Sequence, residues 1–281
     1  MAEKVESSRR GTVPDGRAVL RTWLNKKRVS VVGLGKSGLS AAHALSQCGA
    51  RLFLSEQTPR KQFMSKLPDF AKRAEQEWGG QSRRILESEL IIVSPGVDLD
   101  SPVFRHARKM GLPVWGELEL GFRLGNFGKI AAVTGTNGKT TTVSLLGDMC
   151  ARTGRRTLVA GNIGKPLCDY VRPSVKYDFT VLEVSSYQLE SIDAFCPDAA
   201  ALLNLTEDHL HRHKTMKEYA SAKKRIFCSQ RSDGFALLNA QDIWCRRMAA
   251  NIASKVIWFS SSEISGRGVF FDSARQKIVA K

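Results

Sequence analysis

The chain has 281 residues, 42% of them hydrophobic and 25% charged, an ordinary globular composition with enough length for one large domain or two average ones. No apolar run approaches the roughly 20 residues of a membrane span, so membrane insertion is not expected. The formal charge of +16 raises nucleic acid as a partner, but the basic residues are spread along the chain without a nucleic-acid-binding signature; anionic small-molecule substrates and a basic tail account for the excess, and no nucleic acid is expected as primary partner.

Residues 1–27 carry Arg9, Arg10, Arg17, Arg21, Lys26 and Lys27 around no apolar core. A secretory signal is therefore not expected, and the segment is predicted to be a flexible basic extension. A short buried strand, Val29–Val32, then runs straight into Gly33-Leu34-Gly35-Lys36-Ser37-Gly38. A helical stretch follows with Leu39, Ala42 and Leu45 on one side, then a second strand, Arg51–Ser55, ending in Glu56. Strand, G-x-G-x-x-G, helix, strand and acid is the pattern of a dinucleotide site, whose loop offers backbone N–H groups to an anion. A tight turn without a ligand satisfies the same spacing. Further strands are predicted at Leu90–Ser94, running into Pro95-Gly96, and near Pro113–Trp115. Strands alternating with helices argue a parallel sheet with right-handed crossovers. The text turns glycine-rich and weakly periodic between Gly121 and Lys129, which sets the expected domains at 28–125 and 126–281.

The second half starts again from a strand, Ile130–Val133, and enters Thr134-Gly135-Thr136-Asn137-Gly138-Lys139-Thr140-Thr141-Thr142. The usual phosphate loop is G-x-x-x-x-G-K-[ST]. Here the leading glycine position is Val133, and Gly135 comes later. The helix after it is predicted to place Val143, Leu146 and Met149 on one face. Backbone amides and the helix dipole would cradle phosphate oxygens, Lys139 would add a point charge, and the Thr140 hydroxyl could ligate magnesium. Later strands are predicted at Thr157–Ala160, Phe179–Val184, Ala200–Leu205, Phe235–Leu238 and Val256–Phe259. Because ligands collect at the carboxyl ends of parallel strands, Asn162, Glu183 and His209 are expected on one edge beside the loop. Glu183 fits a magnesium ligand, or a solvated strand end. Asp208-His209-Leu210-His211-Arg212-His213 holds three of the five histidines, a conceivable transition-metal site that no second cluster completes. Lys223 reads by itself as an ordinary basic helix residue. The six cysteines show neither C-x-x-C nor zinc-ribbon spacing, pointing to a reduced, cytoplasmic protein.

These motifs together reach a family. Gly135-Thr-Asn-Gly-Lys-Thr-Thr141, Gly161-Asn-Ile-Gly164, Glu183-Val-Ser-Ser-Tyr-Gln-Leu-Glu190 and Asn204-Leu-Thr-Glu-Asp-His-Leu210 resemble the Mur ligases, closest to the branch that adds D-glutamate. Ser94-Pro-Gly96 and Gly116-Glu-Leu-Glu119 fit the same branch. The fold implied is α/β: a Rossmann-like N-terminal domain for the UDP end of the substrate, then a P-loop-type central ATPase domain. The activity implied is ATP-dependent ligation of D-glutamate to UDP-N-acetylmuramoyl-L-alanine through an acyl phosphate, by a cytoplasmic monomer serving peptidoglycan synthesis. By the same resemblance the shortened loop, 135–142, holds ATP, and Lys139 contacts its β- and γ-phosphates. Thr140 and Glu183 hold one Mg²⁺, and His209 holds a second together with a carbamate on Lys223. Ser37, Glu56 and Gly96 bind the uridine diphosphate, and Asn162 lies on the substrate side. This reading displaces the NAD alternative for Gly33–Gly38. The family usually writes D-H-L-D-R-H, whereas position 211 here is His. The resemblance also implies a C-terminal domain that does not follow Lys281, so the central domain is expected to be truncated and short of its last strands. A nucleotide- and UDP-sugar-binding remnant without catalysis stays open as the alternative.

Overall fold

The computed structural model describes residues 13–63 and 67–281. They form two compact units, one ending at Leu124 and one spanning Gly125–Lys281.

In the first unit, β1 (Arg28–Val32), β2 (Arg51–Glu56), β3 (Glu75–Trp78), β4 (Leu90–Val93) and β5 (Val114–Gly116) make one sheet in the order β3-β2-β1-β4-β5. Every pair is parallel. Crossover helices cover such a sheet, so its inner strands read as unbroken apolar runs: Leu90, Ile91, Ile92 and Val93 are all buried. Phe53, Ile85 and Phe104 complete one core around them. The strand order reverses between β1 and β4, which opens a crevice at their carboxyl ends. The loops after these two strands meet there, where the Ser94 hydroxyl donates to the Gly33 carbonyl at 2.7 Å.

Two expectations for this unit are corrected. Residues Arg17–Leu24, assigned to the flexible extension, form a helix with Leu20 and Leu24 buried. The charge run concealed their i, i+4 spacing; the arginines occupy the other positions, and Arg21 donates to the Leu124 carbonyl at 3.3 Å. Residues 1–12 of that extension lie outside the described residues. Strand β3 was not expected, because Glu75-Gln76-Glu77-Trp78 has no apolar run, and it pairs on one side only, with β2.

The second unit carries β6 (Lys129–Thr134), β7 (Thr157–Gly161), β8 (Phe179–Glu183), β9 (Ala199–Leu202), β10 (Phe235–Asn239), β11 (Lys255–Ser260), β12 (Gly268–Asp272) and β13 (Lys277–Ala280). Their order is β13-β12-β11-β10-β9-β6-β8-β7. All pairs are parallel except β12 with β13. Every strand predicted for this half is present. Beyond them the sheet has β12 and β13, which were not predicted. The helix Lys139–Arg152 differs from expectation on its inner face. Val143, Leu146 and Cys150 pack against β6 and β8 residues, while Met149 is exposed. Seven residues are nearly two full turns, so 143 and 150 share a face that 149 leaves.

Candidate active site

The loop between β6 and the helix Lys139–Arg152 turns on two glycines. Gly135 has φ 151°, and a Cβ there would press on Leu203 at 3.1 Å; Gly138 is left-handed at φ 81° and begins the helix. Lys139 folds back along the loop, donating to the carbonyls of Gly135 at 3.0 Å and Thr136 at 2.8 Å. The chain after β9 fixes the other side. The Asn137 amide donates to Asn204 Oδ1 at 2.8 Å, and Asn204 Nδ2 returns a bond to the Asn137 carbonyl at 3.1 Å. The Thr136 amide donates to the Asn204 carbonyl at 2.9 Å, and the Thr136 hydroxyl accepts from the Thr206 amide at 3.1 Å. The strand-end segment 204–206 thus holds the loop open from outside. Asn204 was not singled out in the sequence, although its place at the carboxyl end of β9 was the available signal.

Glu183, the last residue of β8, is only 2% exposed. Its two oxygens are separately engaged: Thr140 Oγ1 donates to Oε2 at 2.7 Å and Asn162 Nδ2 donates to Oε1 at 2.7 Å. Parallel pairing of β7 with β8 sets Gly161 beside Glu183, which brings Asn162 into reach. A hydroxyl and a carboxylate at hydrogen-bond distance are hard oxygen donors of the kind magnesium accepts when phosphates and water supply the rest. The pair therefore fits the implied cation. We expect Glu183→Gln to leave stability within about 1 kcal/mol in urea unfolding, because an amide can accept from Asn162 and donate to Thr140. Glu183→Ala loses both bonds and the packing of a buried side chain, and should cost about 1–3 kcal/mol.

Lys223 is no ordinary surface lysine. It is 2% exposed, on the helix Met216–Lys224, and its Nζ donates to the Gly135 carbonyl at 2.9 Å and to Thr134 Oγ1 at 3.2 Å. The Tyr219 ring lies 4.9 Å from Nζ, one turn back on the same helix face. Burial, with the Lys139 charge second, pushes the ammonium down to about 7 against opposing pulls from Asp208 and Glu183. A large free-amine fraction therefore exists at neutral pH.

The histidine run forms the next layer. His209 has φ 54°, a left-handed backbone that is uncommon for a residue other than glycine. Its Nε2 lies 3.4 Å from Asp208 Oδ2, and its ring meets Tyr187 edge-on at 5.2 Å. His211, where the family pattern has Asp, pairs its Nε2 with the Tyr187 hydroxyl at 3.3 Å. His213 is buried, which keeps its imidazole below the usual range. Its Nε2 meets Ser186 Oγ at 2.9 Å. Among the described residues no group of three or more His, Cys, Asp or Glu is placed to hold a metal ion.

In the first unit, Ser37 and Gly96 follow β1 and β4, and Glu56 is the last residue of β2 beside β1, so all three belong to the carboxyl ends of adjacent strands. Both Glu56 oxygens accept backbone amides, from Leu34 at 2.6 Å and Thr58 at 2.9 Å. The acid that a dinucleotide reading would aim at a ribose is thus tied to the loop itself.

Comparison with known proteins agrees with this geometry. Residues 133–278 match the Mur ligase middle domain, and residues 27–116 match the Mur ligase MurD-like, N-terminal domain. A protein of Koribacter versatilis named UDP-N-acetylmuramoylalanine--D-glutamate ligase is 44% identical over 246 residues, which cover 87% of this chain and 54% of that protein. One of the same name from Alkaliphilus metalliredigens is 39% identical, with 89% and 56% covered. The chain thus spans about half the length of the curated relatives it matches. Among solved structures, the UDP-N-acetylmuramate:L-alanyl-gamma-D-glutamyl-meso-diaminopimelate ligase of Neisseria meningitides shares the fold, with a TM-score of 0.53 at 16% identity, over 86% of this chain and 82% of that one. With its middle-domain match covering more than half of its residues, the chain belongs to the Mur ligase family.

Proposed function

We propose that this chain serves the ATP-dependent ligation of D-glutamate to UDP-N-acetylmuramoyl-L-alanine through an acyl phosphate, in the cytoplasmic synthesis of peptidoglycan precursors. The observation that carries the reading is the linked set Lys139, Thr140, Glu183 and Asn162 around a preformed phosphate loop. The substrate carboxylate must approach a polyanionic γ-phosphate, and that encounter requires positive charge placed in advance. Lys139 donates its ammonium to two loop carbonyls; with nucleotide bound it would serve the β- and γ-phosphates. Thr140 and Glu183 would hold Mg²⁺, which supplies charge neutralisation on the phosphates. Asn162 keeps Glu183 oriented through Oε1 and leaves Oε2 on the loop side. His209 and Lys223 would serve a second cation. Lys223 gains the needed anionic oxygens when its neutral amine attacks CO₂, forming an N–C bond and releasing one proton. Its burial, which pushes the ammonium down to about 7, supports that step. The first unit would hold the UDP end of the substrate with Ser37, Glu56 and Gly96, the Glu56 carboxylate acting through the loop amides it orders.

Calorimetric titration tests both halves. Lys139→Ala should weaken MgATP binding by on the order of 10² while leaving UDP-N-acetylmuramoyl-L-alanine affinity nearly unchanged, since sites that share no residues act additively. Equal loss of both ligands would overturn the assignment. So would tight NADH binding with no response to the UDP-sugar.

A further inference from the structure

The opposite edge of the first sheet carries a second cluster of charge that the ligase reading does not use. Arg28 and Arg51 are the first residues of β1 and β2, and Glu75 is the first of β3. Because these strands are parallel, all three sit at the amino-terminal edge, away from the loops that follow Val32, Glu56 and Val93. With Arg73 and Phe70 they line a cavity of about 360 Å³, within the size range of small-molecule sites.

The arginines there are not explained as structural caps. Two helix C-termini end near this edge, but their carbonyls have other donors. Leu45 O accepts from the Cys48 and Ala50 amides, and Ser46 O from Gly49. Ala71 O and Lys72 O accept from Gln76 Nε2. The acid is also spoken for: Glu75 takes both Arg28 and Arg84. Among the described residues Arg51 and Arg73 form no ion pair, and both are exposed. Arg28 adds a further feature. Its Nε and Nη2 are buried without a hydrogen-bond partner, although Nη2 forms an ion pair with Glu87 at 3.4 Å. The lining is three guanidinium groups against one shared carboxylate. Guanidinium is the side chain whose planar fork matches phosphate oxygens two at a time.

We propose that this edge is a binding site for a small phosphorylated anion, with Arg51 and Arg73 as its clamps. It is separate from the nucleotide loop of the second unit and from the carboxyl-end crevice of the first. Amide-resolved NMR of the full chain, titrated with inorganic pyrophosphate, tests it without interference from phosphate binding elsewhere, because the readout is local. Signals of residues 50–52 and 73–75 should shift saturably with a Kd below about 1 mM at low salt, where exposed charges are least screened. Arg51→Gln/Arg73→Gln, altering two exposed side chains, should weaken that response at least about tenfold and leave the spectrum otherwise folded. The proposal fails if those signals do not move, if sodium chloride at matched ionic strength moves them equally, or if the double variant responds like the wild type. A stronger response to citrate than to pyrophosphate would replace the phosphate ligand with a carboxylate one and so overturn the assignment. Binding only to an oligonucleotide would overturn it too.

Discussion

Replacing Lys223 is expected to raise stability and to remove turnover, two effects that point in opposite directions because they have one cause. The folded protein holds the ammonium near a pKa of about 7, whereas its ordinary value is 10.5. Between those values the unfolded chain binds a proton that the folded chain does not, so wild-type stability should rise as pH rises from about 7 to 10.5. Below that window both states are protonated and the burial penalty is constant; above it the penalty is gone. The slope within the window approaches about 1.4 kcal/mol per pH unit for one proton. Lys223→Met keeps a similar apolar volume, loses the bonds to Thr134 and Gly135, and should flatten that slope while gaining a few kcal/mol near pH 7. Urea unfolding from pH 6 to 10 measures both. If the Met variant keeps the wild-type slope, the lysine is not the titrating group. For function, Lys223→Ala in a protein of the relatives' length should lose turnover by on the order of 10²–10³. Acetate should restore part of it by filling the vacated anionic position. Wild-type rates in that variant under CO₂-depleted conditions would return Lys223 to a purely structural role.

Gly38→Ala should abolish the fold of the first unit, while Gly35→Ala in the same loop should be nearly silent. A Cβ at position 38 would lie 1.8 Å from the Gly33 carbonyl oxygen and 2.7 Å from Ser94 Oγ. The first of these is backbone, so it cannot step aside without moving β1 or the helix that follows the loop. The Gly33 carbonyl also accepts from Ser94, so the two crevice loops shift together. We expect destabilisation above about 4 kcal/mol, in the range reserved for core clashes and backbone strain, with loss of UDP-sugar binding. At position 35 a Cβ meets nothing within 4 Å and the backbone is at φ −64°. Circular dichroism melts of the two variants decide the matter. A folded Gly38→Ala protein with normal UDP-sugar affinity would show that the loop tolerates a side chain there.

This contrast marks what sequence alone can tell at such a motif. The G-x-G-x-x-G spacing announces a strand-to-helix turn, but only the folded backbone shows which glycines are obligatory: the third, where helix and strand come closest, and the first, at φ 82° against Ser94, but not the second. The strands were legible because apolar runs ending in Gly, Asn or Glu have a local cause, burial on both faces of a parallel sheet. The order of the motifs also placed Lys139, Thr140 and Glu183 together, since parallel strands deliver their carboxyl ends to one edge. Other features had no local cause. Arg17–Leu24 reads as a charged tail until Leu20 and Leu24 find a core to enter. Strand β3 exists because β2 offers it a free edge, not because Glu75-Gln76-Glu77-Trp78 favours a strand. Lys223 looks like any basic helix residue, and the motif that contains it says nothing of its environment. Its depressed basicity comes first from burial and then from the charge of Lys139, a residue far away in the sequence. Spacing along one chain can fix which residues share an edge, because strand direction and helix pitch are local properties. Desolvation and charge at one atom depend on everything packed around it, and that sum exists only once the chain has folded.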